Sequence, residues 1–241
     1  MADWIISFIP QHRVYLEPYF GSGAVLFNKE PVGIETVNDL DKNVVNLFSV
    51  IRNHPGELAD LLEMTPWARD EYYDSYEETD DEIEKARRYI VRCWQAFATR
   101  VGYRTGWRHS AQGQCPNMPE QWAKIPERVF QVAGRLKHVQ IENQDAVKLI
   151  EKYNHPDCVL YLDPPYTHDT RAKGIYNNDG SEESQIHMLE AILHSESKVL
   201  LSGYDNPLYQ EYLKDWRVEK KHTAVERGQS KTECLWMNFA I

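Results

Sequence analysis

Val14-Tyr15-Leu16-Glu17-Pro18-Tyr19-Phe20-Gly21-Ser22-Gly23, followed by Ile34-Glu35-Thr36-Val37-Asn38-Asp39, decides the fold. Val14-Tyr15-Leu16 is a short apolar run suited to a strand, closed by Glu17-Pro18. The two glycines that follow allow a tight backbone turn and a close approach to a ligand. Ala24-Val25-Leu26-Phe27 resumes an apolar pattern and predicts the start of a helix. Ile34 to Val37 is a second strand, ending at an acidic residue, Asp39. Asp41 is placed to cap the next helix, on which Val44, Val45, Phe48 and Ile51 recur at helical spacing. Strand, glycine turn, helix, strand, carboxylate, helix is how a Rossmann-like unit opens.

Further along, Val139-Gln140-Ile141 is a short strand candidate. Val159-Leu160-Tyr161-Leu162 is a stronger one, because a continuous apolar run suits a strand buried on both faces. Val199-Leu200-Leu201-Ser202 is another, and two more are expected near 217–221 and 233–239. Ile186, Leu189, Ile192 and Leu193 mark a helix, and Asn177-Asn178-Asp179-Gly180 a turn. Ala86, Tyr89, Ile90, Cys93, Trp94 and Phe97 form one apolar helical stripe, expected to be core. Residues 102–126 show no period and are rich in Gly, Pro, Asn and Gln, so long loops are expected there. The class is α/β.

The chain has 241 residues, 42% hydrophobic and 27% charged, enough for one α/β domain with an inserted subdomain. No apolar run approaches the ~18 residues of a membrane span. Asp3 comes early, without the basic opening of a secretory signal, so a cytoplasmic protein is expected. Cys93, Cys115, Cys158 and Cys234 are scattered, with no pairing that suits zinc. Reduced structural thiols and no metal are expected. The formal net charge is −10, yet its distribution is uneven. Nine acidic residues and no basic one lie between Asp70 and Glu84; seven basic residues and no acidic one lie between Lys85 and Met118. An acidic loop beside a solvated helix face accounts for that pattern as well as a nucleic-acid contact does.

The chemistry centres on Asp163-Pro164-Pro165-Tyr166, at the end of the strongest strand. Two prolines stiffen the backbone and demand no donor partner, so their carbonyls are expected to stay open to accept. A carboxylate and a fixed carbonyl can together hold both hydrogens of an exocyclic amino group. Tyr166 offers a flat face on which a base can stack. Tyr19, Gly21 and Gly23 form the glycine turn, Asp39 ends the second strand, and Asp145 follows the strand at 139–141. Taken singly, each of these has an ordinary structural explanation.

In that order the motifs resemble the Dam-type, α-group DNA N6-adenine methyltransferases of the D12 class. Glu17 to Gly23 is similar to their FxGxG-like cofactor motif, with Tyr19 where phenylalanine is usual, and Asp163 to Tyr166 to their catalytic DPPY motif. Ser202-Gly203-Tyr204-Asp205 resembles a later strand end more loosely. The resemblance implies a Rossmann-like S-adenosylmethionine-dependent methyltransferase fold, with a catalytic domain of 1–65 and 136–241. The inserted, mainly helical subdomain at 66–135 would recognise the target. It implies S-adenosylmethionine as cofactor, bound by Tyr19, Gly21, Gly23, Asp39, Asp145 and Asp163, with Asp39 at the ribose and Asp145 at the adenine. It implies catalysis by Asp163, Pro164, Pro165 and Tyr166 on an adenine flipped out of double-stranded DNA. Arg100, Tyr103, Arg104, Trp107 and Arg108, with Arg171 and Lys173, become candidate DNA contacts. A monomer is expected, and a separately acting restriction endonuclease is a candidate counterpart. The Lys-containing, Gly-rich segment with which the family usually opens has no match ahead of Met1-Ala2-Asp3-Trp4.

Two other readings stay open at this point. One is an amino-methyltransferase acting on cytosine N4, RNA or protein glutamine; the other is a catalytically silent protein that binds DNA or cofactor.

Overall fold

The computed structural model describes residues 1–97, 104–109, 117–165, 181–224 and 230–240. The elements in chain order are α1 (Ala2–Ile6), β1 (Val14–Glu17), β2 (Ile34–Asn38), α2 (Lys42–Asn53), α3 (Pro55–Glu63), α4 (Arg69–Asp74) and α5 (Glu82–Gln95). They continue with α6 (Met118–Trp122), α7 (Ile125–Leu136), β3 (Val139–Glu142), α8 (Ala146–Lys152), β4 (Cys158–Leu162) and α9 (Glu182–Leu193). The last are β5 (Lys198–Tyr204), α10 (Pro207–Tyr212), β6 (Arg217–Ala224) and β7 (Ser230–Met237). Each strand expected from the sequence is present. No helix among the described residues is long and apolar enough to cross a membrane.

The strands form one seven-stranded sheet of order β3-β2-β1-β4-β5-β7-β6. β1 pairs in parallel with β2 on one side and with β4 on the other, and β5 continues in parallel from β4. β7 joins antiparallel to β5, and β6 antiparallel to β7. Strand order therefore reverses between β1 and β4. In a doubly wound sheet the crevice for a ligand opens at such a point, beyond the carboxyl ends of the strands. All five residues of β4 are buried, as its continuous apolar run requires. Leu160, Leu162, Val199 and Leu201 pack with Met188 and Ile192 of α9 in one core cluster. Each such side chain contributes roughly 1.5–3 kcal/mol by leaving water.

Packing divides the chain into two compact units, Met1–Leu40 with Glu142–Ile241, and Asp41–Ile141. The second is helical: α2 packs on α5 and α7, and α3 on α7 and α5. The sequence-based division at 65 and 136 leaves α2 and α3 with the catalytic part, whereas their buried faces (Val44 and Phe48, Leu58 and Leu62) side with the helices that follow.

Three local expectations change. Residues 24–28 form turns rather than a regular helix. Phe97 is not core: α5 ends at Gln95, Ala96 bridges Trp107, and Phe97 is 67% exposed. Buried positions on α5 are instead Ala86, Ile90, Val91 and Gln95. Within 102–126, Met118–Trp122 is helical: Asn117 caps it, Pro119 sits in its first turn, and buried Trp122 donates its indole N–H to the Thr65 carbonyl at 2.7 Å.

Candidate active site

The carboxyl ends of β1, β2 and β4 surround a cleft of about 200 Å³. It is lined from β1 and its turn by Glu17, Tyr19, Phe20, Gly21 and Ser22, from the β2 end by Asp39 and Leu40, and from β4 by Tyr161, Asp163 and Pro165. Gly21 and Gly23 have φ of +48° and +67°, in the left-handed region that L side chains avoid. At Gly23 there is also no room: a Cβ would stand 2.5 Å from the rings of Phe20 and Phe27. The Gly21 N–H donates to Asp39 Oδ2 at 2.8 Å, so the carboxylate holds the turn in place.

Asn38, 1% exposed, ties the neighbouring loops together. Its Nδ2 donates to the carbonyls of Pro18 and Gln144, both at 3.0 Å, and its Oδ1 accepts the Gln144 N–H at 2.9 Å. Asn143 Nδ2 donates to the Asp39 carbonyl at 2.6 Å. Asp145 is exposed and does not line the cleft; its Oδ1 caps α8, accepting from Val147 N–H at 2.8 Å and Lys148 N–H at 3.2 Å. Asp41 caps α2 through Asn43 N–H at 2.8 Å, as expected.

At the end of β4 the Ser202 hydroxyl lies 2.9 Å from Asp163 Oδ1 and 3.1 Å from the Tyr161 hydroxyl. Ser202 belongs to β5, the strand beside β4, and so orients the Asp163 carboxylate from the adjacent strand end. The two proline carbonyls are not alike. That of Pro165 accepts from Nε2 of Gln185, a buried residue of α9, at 2.9 Å, contrary to the expectation that both stay open. No described residue donates to the Pro164 carbonyl in any bond of this network. Gln185 and Asn38 carried no signal in the sequence beyond lying at an element end or among apolar neighbours, and Ser202 only the loose resemblance of 202–205 to a later strand end.

Glu17 is 2% exposed and accepts from the Tyr15 hydroxyl on Oε2 at 3.0 Å. Burial, with the Asp163 charge adding to it, pushes its carboxyl up to about 8. Beneath it Lys29 pairs with Glu35 at 2.6 Å, both buried, and its ammonium lies 4.5 Å above the Tyr15 ring.

In the helical unit, the acidic and basic blocks meet. Arg87 pairs with Glu71 and, at 2.7 Å, with Glu84; Arg88 pairs with Glu84 at 2.7 Å; Arg92 donates to the Ser75 carbonyl at 2.7 Å. Arg87 through Glu71, Arg88 through the Glu77 carbonyl and Arg92 through the Ser75 carbonyl bind the acidic segment to α5, and Arg87 and Arg88 hold the Glu84 carboxyl below its ordinary range. Arg104 is exposed, its guanidinium 4.3 Å from the Tyr73 ring centre. Trp107 donates its indole N–H to Gln95 at 3.1 Å and lies under the Arg69 guanidinium at 5.0 Å. Arg108 contributes backbone bonds to Trp67 and Gln95. Tyr166, Arg100, Tyr103, Arg171 and Lys173 lie outside the described residues.

A family model described as D12 class N6 adenine-specific DNA methyltransferase matches residues 1–227. The chain belongs to that family. Among curated relatives, the type II methyltransferase M1.LlaDCHI of Lactococcus lactis subsp. cremoris is 27% identical, covering 90% of this chain and 81% of that protein. The DNA adenine methylase of Escherichia coli (strain K12) is 22% identical, with 88% and 79% covered. Among solved structures, a putative RNA methyltransferase, PH1948 from Pyrococcus horikoshii, is 7% identical with a TM-score of 0.43 over 98% of this chain and 81% of that one. The D12 methyltransferase thus methylates DNA at the adenine N6 position, with a methyl donor of the S-adenosylmethionine type, and the readings as a methyltransferase of cytosine N4, RNA or protein glutamine fall away.

Proposed function

We propose that the cleft takes S-adenosylmethionine and that the strand end at Asp163 presents to it an adenine turned out of double-stranded DNA. The observation that carries this reading is that Asp163 lines the same cleft as Gly21 and Asp39. The wall also suits the donor's charge: Asp39 and Asp163 line it, and among the described residues no lysine, arginine or histidine does. When bound, the donor supplies an electrophilic methyl group on a cationic sulfur.

The chain's own residues do the rest by positioning. Asp39, braced by the Gly21 amide, accepts from the ribose hydroxyls, and the Tyr19 to Gly23 turn lets the backbone come close. Asp145 lies outside the cleft wall, on the loop strapped to Asn38, and reaches the cofactor's adenine with the carboxylate oxygen that does not cap α8. Asp163 and the Pro164 carbonyl accept the two hydrogens of the target amino group and so aim its lone pair at the methyl. Gln185 keeps the Pro165 carbonyl out of that competition and stiffens the turn. Tyr166 stacks on the extruded base, whose removal from the helix costs a few kcal/mol. The segment 66–135 reads the target, with Arg100, Tyr103, Arg104, Trp107 and Arg108 toward DNA, aided by Arg171 and Lys173. The chain works as a monomer, and the type II name of M1.LlaDCHI supports a separate restriction endonuclease as its counterpart.

The test is methylation of DNA lacking modified adenine, read by single-molecule sequencing. N6-methyladenine at one recurrent short sequence is expected. Asp163→Ala should lower turnover about 10²–10³-fold, well beyond any loss of cofactor affinity, while the fold stays intact. Near-normal turnover in that variant would overturn the assignment.

A further inference from the structure

Two of the three carboxylates on the cleft wall have work in the proposed function. Glu17 does not, and it differs from the others in being buried, whereas Asp163 is exposed and Asp39 half-buried. A buried acid beside a ligand cleft carries a desolvation penalty for its charged form unless a cation offsets it. The surroundings of Glu17 supply little of that offset. On β1, Tyr15 donates a neutral hydroxyl. On β2, the residue in register with Glu17 is Val37, and Glu35 stands opposite Tyr15. Tyr161 of β4 and Asp163 just past its end face the same cleft, and the Asp163 charge repels a second negative charge. The turn after Gly23 brings the Leu26 amide, which donates, and Lys29, whose ammonium is bonded to Glu35 at 2.6 Å and to the Glu30 carbonyl at 2.7 Å. The carboxyl is accordingly held up to about 8, mostly by burial, and is neutral for the most part near neutral pH.

A positively charged ligand in the cleft changes that balance, because it favours the ionised carboxyl. We propose that Glu17 is the residue by which the cleft tells the positively charged methyl donor from its neutral thioether product, losing its proton as the first enters and regaining one when the charge is gone. The inference rests on the reading of the cleft as the donor site.

The proton count fits the chemistry. Transfer breaks a sulfur–carbon bond, forms a nitrogen–carbon bond and frees one proton from the amino group. A cation, a neutral amine and an ionised Glu17 become a neutral thioether, a neutral methylated amine and a protonated Glu17. The acid is thus able to take up a proton in the same turnover that produces one, and the spent product loses its electrostatic hold on the site.

The experiment is isothermal titration calorimetry on the full chain near neutral pH, in two buffers of different ionisation enthalpy. The probes are S-adenosylmethionine and S-adenosylhomocysteine, which share the amino and carboxylate ends and differ in the charge on sulfur. In the wild type, donor binding should release more protons than product binding. Glu17→Gln, which can still accept the Tyr15 hydroxyl, should erase that difference and lower the preference for donor over product about tenfold, the equivalent of one pKa unit of coupling. Equal proton counts for the two ligands in the wild type overturn the proposal without recourse to any variant; so does a difference that persists in Glu17→Gln. If neither ligand binds, the reading of the cleft fails and the inference goes with it. If both bind and DNA is methylated with equal proton counts, only the role of Glu17 fails.

Discussion

Glu17 and Tyr15 lie two positions apart on β1 and so point to one face of the sheet. Burial there makes the stability of the protein depend on pH. The carboxyl ionises near 4.5 when unfolded and near about 8 when folded. Between those values the unfolded chain has lost a proton that the folded chain keeps, so stability falls as pH rises through this window. Below about 4.5 both states are protonated and the cost is absent. Glu17→Gln removes it. Without ligand, the variant should melt above the wild type near pH 8 and no higher than it near pH 4. At about 1.4 kcal/mol per pH unit, the advantage reaches on the order of 4 kcal/mol at the alkaline end. Thermal melts of both proteins across that range check it; parallel curves would show that Glu17 ionises in the fold as freely as in the unfolded chain.

At the scale of the element, the glycine turn after β1 makes two different demands. Gly21 needs only its backbone conformation, since a Cβ there meets nothing within 4 Å. Gly23 needs the conformation and the space, because the Phe20 and Phe27 rings close over it. A left-handed residue with a side chain costs roughly 1–2 kcal/mol, and a methyl forced into a packed site roughly 1–3 more. Gly21→Ala should therefore destabilise by about 1 kcal/mol, and Gly23→Ala by about 2–5 kcal/mol with a clear loss of cofactor affinity. Denaturant unfolding of the two variants decides the point, and equal effects would mean that the rings move aside.

For the whole molecule, the problem is how a chain of net charge −10 engages a polyanion. Much of the basic block on α5 is spent inside the helical unit, where Arg87, Arg88 and Arg92 hold the acidic segment. Of the described part of that block, Arg104 and Arg108 of the 104–109 segment remain as DNA candidates. If each neutralises a phosphate, Arg104→Ala and Arg108→Ala should each weaken DNA binding and lower the slope of log affinity against log salt by about 1, with cofactor affinity unchanged. Affinity and slope unchanged in both variants would remove this segment from recognition.

The sequence by itself determined the strands, the glycine turn, the capping role of Asp41, the family and the position of Asp163 at a strand end. Those features are local: apolar runs, turn residues and a motif read from adjacent positions. Only the tertiary structure decided which distant residues meet. Ser202 reaches Asp163 because β5 lies beside β4, Gln185 reaches the Pro165 carbonyl from α9, and Asn38 joins two loops through strand order. The run at 24–27 keeps an apolar pattern yet forms turns, and Phe97 loses its place in the stripe because α5 stops two residues earlier. Glu17 shows the reason most plainly. Its letter in the sequence is an ordinary acid at a strand end; its neutrality comes from burial beside Asp163, a neighbour supplied by a strand far along the chain.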